Sequence, residues 1–261
     1  MAKQSLYTIG YTSFVHNSEV DIERMMLTLR QLQVNYLVDV RSSPYSGQFP
    51  QTNCDILKGA GKAFGIPYVH MGELGAQAKV EQAVFSRASE IFFEQDAFPI
   101  SKSNRPEHTE LQPSEEIVDF NKFRHDDYFV SGLKRIEVAY QKGFTLCLMC
   151  SEKQPMNCHR YFLISRALNN KFGEWLEIKH IAIKDGQIVL LSQSDLDKQL
   201  EDTVCQKRHL TKETLLTPSL LGGSLLDNYH GDSLQAKLDD YCDRYWNLMH
   251  GWKKGSVNDN D

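Results

Sequence analysis

The chain lacks most of the features that settle a class at a glance. Charge of one sign is missing: 29 lysines and arginines stand against 34 aspartates and glutamates in 261 residues, a formal net charge of -5. That balance gives no global footprint for duplex nucleic acid or an anionic membrane, though a local basic cleft is compatible with it. No apolar run approaches the roughly 20 residues of a bilayer-spanning helix. The opening MAKQSLYTIGYTS lacks the charged-then-apolar layout of a secretory leader. No membrane association and a cytoplasmic location are therefore expected. Six cysteines, at positions 54, 147, 150, 158, 205 and 242, are too sparse for a secreted disulfide scaffold. Neither a Walker A sequence nor a dinucleotide glycine fingerprint occurs, which disfavours a classical ATP or nicotinamide site. There is no internal repeat and no low-complexity segment.

What the chain does have is strand-like and helix-like runs in alternation. Ser5–Gly10 reads as a strand, and Val20–Leu32 as a helix with Ile22, Met25, Met26, Leu29 and Leu32 at helical spacing. Asn35–Val40 is a continuous apolar strand, followed by a short helix over Asp55–Phe64 and a strand at Ile66–Met71. A helix over Phe129–Gln141 leads into the strand Phe144–Met149, and another helix begins near Asn157. Glu177–Ile183 and Gln187–Leu191 close the series, paired through a turn at Lys184-Asp185-Gly186. Such alternation predicts an α/β fold: a mainly parallel open sheet with flanking helices, plus a helical C-terminal extension. Residues 1–191 form the expected α/β domain, carrying a polar insertion near 77–127. Residues 192–261 form the helical extension packing on it. There Leu234, Leu238, Tyr241, Tyr245 and Leu248 trace one helix face, suited to packing, to a protein partner or to self-association. The last residues, GWKKGSVNDND, read as a frayed end.

In a parallel sheet four loops lie at one edge, and each carries polar or reactive groups. They follow Gly10, Asp39, His70 and Cys150. In the fourth, Cys150, Glu152, Cys158, His159 and Arg160 fall within eleven residues between a strand and a helix. Cys150, Glu152 and His159 are the candidate catalytic groups: a thiolate favoured by a helix start and a nearby arginine, a carboxylate, and an imidazole that titrates near neutrality. Arg41 and Arg160 are candidate anion-binding groups, with hydroxyls from Ser13, Ser42 and Ser43. Tyr11 and Tyr45 could stack on a base or serve as aromatics at the rim of the core, and His70 adds a second imidazole. Asp39 is expected to fix its loop by pairing with Arg41, and Gly10 and Gly75 to allow tight turns. Cys158 is expected to pack beneath the loop, and Cys147 inside the core. Two arginines, hydroxyls and tyrosines suit a phosphate-bearing nucleotide or a nucleic-acid end.

TIGYTS (8–13), VDVRSSPYS (38–46), YVHMGELGA (68–76) and CSEKQPMNCHR (150–160), in that order, resemble the bacterial family labelled domain of unknown function 488. The likeness covers roughly residues 5–185. It implies an α/β fold and a polar site made from the four loops, and it brings no assigned activity.

Two classes of function follow. The first is an enzyme of hydrolase or transferase type, possibly thiol-dependent, acting on a nucleotide or nucleic-acid substrate. The second is a noncatalytic module that binds the same ligands. A third reading is a zinc-stabilised interaction protein using Cys150, Cys158 and His159, with His70 from the neighbouring loop as a fourth ligand. Against it stands the expectation that residues 158 and 159 project about 100° apart on a helix, so no metal and no cofactor is assigned.

Overall fold

A strand that is apolar at every position needs cover on both faces, and LCLMC at 146–150 receives it, with all five residues buried. The structure is a computed structural model and describes residues 3–76, 84–94, 100–101, 110–217 and 225–254. Its six-stranded sheet comprises β1 (Gln4–Gly10), β2 (Tyr36–Asp39), β3 (Tyr68–His70), β4 (Leu146–Cys150), β5 (Leu176–Lys184) and β6 (Gln187–Ser192). Their order is β6-β5-β1-β4-β2-β3. All neighbours are parallel except β5 and β6. Asp185 and Gly186, with φ of 50° and 76°, make the tight turn of that antiparallel pair; positive φ at both positions matches the twist of a hairpin.

The helices are α1 (Ile22–Gln31), α2 (Cys54–Phe64), α3 (Asp127–Gln141) and α4 (Arg166–Phe172). Asp21 caps α1 by accepting from the Arg24 amide at 2.9 Å, and Gly65 ends α2 in the left-handed region at φ 72°. Met25, Met26, Leu29 and Leu57 from α1 and α2 pack on Tyr7, Ile9, Leu37, Cys147 and Met149. The alternation read from sequence is therefore the alternation of the fold, with one local difference. The helix expected from about Asn157 is delayed. Pro155–Asn157 form a 3-10 turn, Cys158 is extended (φ -122°, ψ 141°), and a π-helical turn over Arg160–Ser165 precedes α4.

Two compact units divide the chain: the first is built from Met1–Val80 and Arg124–Asp195, the second from Glu81–Phe123 and Leu196–Val257. In the second unit, Phe85–Arg87 pairs antiparallel with Glu116–Val118. A helix over Leu234–His250 buries Leu238, Tyr241, Tyr245 and Leu248, so most of the apolar face traced in the sequence is covered within that unit. Leu234, at its first turn, is exposed. Parts of the polar insertion near 77–127, and the tail from 255 on, lie outside the described residues.

Candidate active site

Strand register decides which loops meet. Gly10 is the partner of Cys150, Met149 of Asp39, and Asp39 of His70, so the four strands end in one row. The chain leaves β1 toward β2 and leaves β4 toward β5, on the other side of β1. The carboxyl ends of β1 and β4 thus lie at a topological switch point, where open α/β sheets place ligands.

Gly10 is where the first and fourth loops touch. A Cβ there would sit 1.8 Å from the Glu152 carbonyl oxygen, closer than any side chain allows. Thr12 reinforces the contact, donating from its amide (3.3 Å) and hydroxyl (2.5 Å) to the Ser151 oxygen. The Ser13 hydroxyl donates to the Lys153 oxygen at 3.4 Å. From beneath, Arg160 donates to the Glu152 oxygen at 2.6 Å and to that of Lys153 at 3.3 Å. Its side chain is wholly buried, and among the described residues it has no carboxylate partner. The expectation that Arg160 grips an anion directly does not match this placement: its two terminal nitrogens are occupied by the backbone of the Cys150 loop. What it adds to the site is a buried positive charge, which favours the charged forms of Cys150 and Glu152.

Arg41 is likewise occupied. It donates from Nε to Asp39 Oδ1 at 2.9 Å and from Nη2 to Oδ2 at 2.5 Å, and it also reaches the carbonyls of Thr52 (2.8 Å) and Pro44 (3.2 Å). Tyr68 donates to the same carboxylate at 2.7 Å. Burial and the adjacent Asp39 charge both push the Tyr68 hydroxyl up, so it stays a donor. Asp39 and Arg41 therefore act as an internal brace. Tyr11 is buried, its ring edge-on to Phe49 and under the Arg41 guanidinium; this placement makes it a core aromatic. Tyr45 is exposed and its hydroxyl accepts from the Cys54 thiol at 3.2 Å. Ser42 and Ser43 are half-buried, with Ser42 pressed against Gly75, whose added Cβ would lie 2.6 Å from the Ser42 amide nitrogen.

The brace aims two carbonyls at two imidazoles. Arg41 O accepts from His70 Nε2 at 2.8 Å, and Val40 O accepts from His159 Nε2 at 3.1 Å. A carbonyl only accepts, so Nε2 of His159 carries a proton and Nδ1 faces the sulfurs. Nδ1 lies 3.7 Å from Cys150 Sγ and 3.8 Å from Cys158 Sγ. Cys158 approaches because its extended backbone keeps it off the helix. This corrects the sequence-based geometry, in which both residues sit on one helical turn and point apart.

Electrostatics follow from this packing. A hydrogen bond from the Cys158 thiol lowers the Cys150 thiol well below its ordinary range; burial opposes this, and His159 and Arg160 assist it. Cys158 is held up by burial and by its bond to Cys150. Burial pulls His159 down, yet the Cys150 charge and the Val40 carbonyl outweigh it and leave His159 raised. Glu152 is raised by desolvation and by the Cys150 charge. Together these favour a thiolate–imidazolium pair at Cys150 and His159.

Three groups escaped the sequence reading: Thr12, Tyr68 and His180. The last forms a buried chain, with Thr8 Oγ1 2.8 Å from its Nδ1 and Gln193 Oε1 3.0 Å from its Nε2. Only the hydroxyls of TIGYTS hinted at the first; nothing local marks the other two.

A family model matches residues 21–96 and 98–167, more than half the chain. The chain belongs to that family, Domain of unknown function DUF488. The DUF488 match takes in the Asp39–Arg41 brace and the whole segment from Cys150 to Arg160. Comparison with curated proteins and with solved structures finds no match. Among the described residues no helix is long and apolar enough to cross a membrane.

Proposed function

We infer that the protein is an enzyme of the hydrolase or transferase class in which Cys150 is the nucleophile. Its substrate is a phosphate-bearing nucleotide or a nucleic-acid end. The observation that carries this reading is the approach of His159 Nδ1 to Cys150 Sγ, with Nε2 tethered to Val40. It is the nucleophile–base–orienter arrangement, with a backbone carbonyl as orienter. For the substrate class, the support is the buried Arg160 charge acting on Cys150, the half-buried hydroxyls of Ser42 and Ser43, and the exposed Tyr45 ring.

In the first step the Cys150 thiolate forms a bond to the substrate phosphorus. The phosphorus–oxygen bond to the leaving group breaks, and that oxygen takes the Nδ1 proton of His159. In the second step neutral His159 takes a proton from water or an acceptor hydroxyl. The resulting oxygen nucleophile attacks phosphorus, the sulfur–phosphorus bond breaks, and the thiolate–imidazolium pair is restored. Glu152, raised by desolvation and by the Cys150 charge, is a second acid–base group in the same loop.

The test has two parts, both on chelator-treated full-length protein. Iodoacetamide labelling followed by peptide mass spectrometry should show Cys150 reacting with an inflection below the ordinary cysteine value of about 8.5. Cys205, half-buried and raised by burial and neighbouring acids, should react only at higher pH. A screen of nucleotides and end-labelled oligonucleotides should then find turnover that Cys150→Ser and His159→Ala abolish. Turnover that survives Cys150→Ser overturns the assignment, as does ligand binding without chemical change in any substrate.

A further inference from the structure

We propose that Cys150, Cys158 and His159 also form a binding site for one soft divalent cation of the zinc class. The proposal rests on donor geometry alone and holds whether or not Cys150 is a nucleophile. The three donor atoms all lie within 4.8 Å of one another. In a tetrahedral zinc site, with Zn–S near 2.3 Å and Zn–N near 2.0–2.1 Å, the sulfur-to-nitrogen edge is about 3.6 Å. The two such edges here are 3.7 and 3.8 Å. Two edges of a coordination tetrahedron are therefore already set within a few tenths of an ångström.

The surroundings support the same ligand set. A metal-binding histidine ordinarily donates its other ring N–H to a carboxylate or a backbone carbonyl, which fixes the tautomer and aims the lone pair. His159 does this through Nε2 and Val40 O. The carbonyl is itself held, because the Val40 amide donates to Met149 O at 2.9 Å and Asp39 and Arg41 brace the residues on either side. Cys158 has comparable support: the Arg160 amide donates to its sulfur at 3.5 Å. Two thiolates would offset the charge of the ion. Among the described residues no further cysteine, histidine or carboxylate joins the cluster. Three protein ligands leave a fourth position for water or an incoming anion, the pattern of exchangeable rather than closed zinc sites. If Cys150 is the nucleophile, ion and substrate compete for one sulfur, and the metal is a reversible cap on the enzyme.

The experiment uses full-length protein stripped with a chelator and dialysed. Zinc is titrated in competition with a chromophoric chelator, and cobalt(II) is titrated in parallel. One equivalent of zinc should bind. Cobalt should give the intense visible bands of a tetrahedral site and a near-ultraviolet sulfur-to-metal transition. Cys158→Ser and His159→Gln, checked for native circular dichroism, should each weaken zinc binding by more than the roughly 10–100-fold that loss of an outer-shell partner costs. Bound zinc should protect Cys150 and Cys158, but not Cys205, from alkylation. Substoichiometric zinc, an octahedral cobalt spectrum, or equal affinity in wild type and both variants overturns the site. The two readings fail separately. A stripped protein that alkylates readily at Cys150 but takes no zinc leaves the thiolate reading standing, whereas one that binds zinc with an inert Cys150 removes only the nucleophile.

Discussion

His159 is tied to Val40 by a hydrogen bond of 3.1 Å from its Nε2 to the Val40 carbonyl oxygen. This contact spans 119 residues of sequence and determines which imidazole nitrogen meets Cys150. The Val40 carbonyl depends in turn on a buried ion pair, since Asp39 and Arg41 flank it and grip each other. The orientation of His159 beside Cys150, at the end of β4, is thus referred to the end of β2.

Asp39→Asn should test that dependence. The substitution keeps the shape but leaves the Arg41 guanidinium buried without its counter-charge, a loss of about 3–5 kcal/mol. Urea unfolding should show it as a lower midpoint with unchanged slope. Where the variant still folds, Cys150 alkylation at neutral pH should slow, because the carbonyl that orients His159 is no longer braced.

Gly10→Ala probes the contact between the first and fourth loops. With the new methyl 1.8 Å from Glu152 O, one backbone must move, at a cost of about 2–3 kcal/mol. Gly59→Ala, in α2, is the control: no atom lies within 4 Å of its added Cβ, so it should be neutral or slightly stabilising. Equal unfolding midpoints for the two variants would remove the argument.

Arg160 separates charge from hydrogen bonding. Arg160→Lys keeps the positive charge and loses the fork that spans two carbonyls, and should cost roughly 2 kcal/mol. Arg160→Met loses both and leaves the Glu152 and Lys153 carbonyls without this donor, for about 3–5 kcal/mol. Cys150 should keep a low alkylation inflection in the lysine variant and move upward in the methionine variant.

His180 sets an acid limit on stability. Burial depresses it to about 3, and Arg160 adds to the effect against the opposing bond to Gln193. The unfolded chain carries a histidine of about 6.5, so between those values the unfolded state binds the extra proton. Stability from this group is complete above about pH 6.5 and is lost as pH falls toward 3, at a slope approaching ~1.4 kcal/mol per pH unit. His180→Gln should flatten that part of the stability profile, measured by urea midpoints at successive pH values.

Much of the first unit was legible in the sequence because its signals are local. An all-apolar LCLMC requires cover on both faces, a 3.6-residue apolar spacing marks α1, and Asp-Gly marks the final hairpin. The same reading brought four strand ends to one edge, since the parallel alternation places Gly10, Asp39, His70 and Cys150 there. It did not reveal the roles of the arginines. Whether Arg41 and Arg160 face a ligand or the protein depends on carbonyls and a carboxylate brought near only by folding.

The sequence by itself determined the layers, the edge on which polar groups gather and the family. Tertiary structure alone decided that Cys158 leaves the helix, that Nδ1 of His159 faces two sulfurs, and that both arginines are internal. The reason is physical: periodicity and turn chemistry act over a few residues, whereas a tautomer, a buried charge and a perturbed thiol are set by partners such as Val40 and His159, far apart in the chain and adjacent only once the sheet has formed.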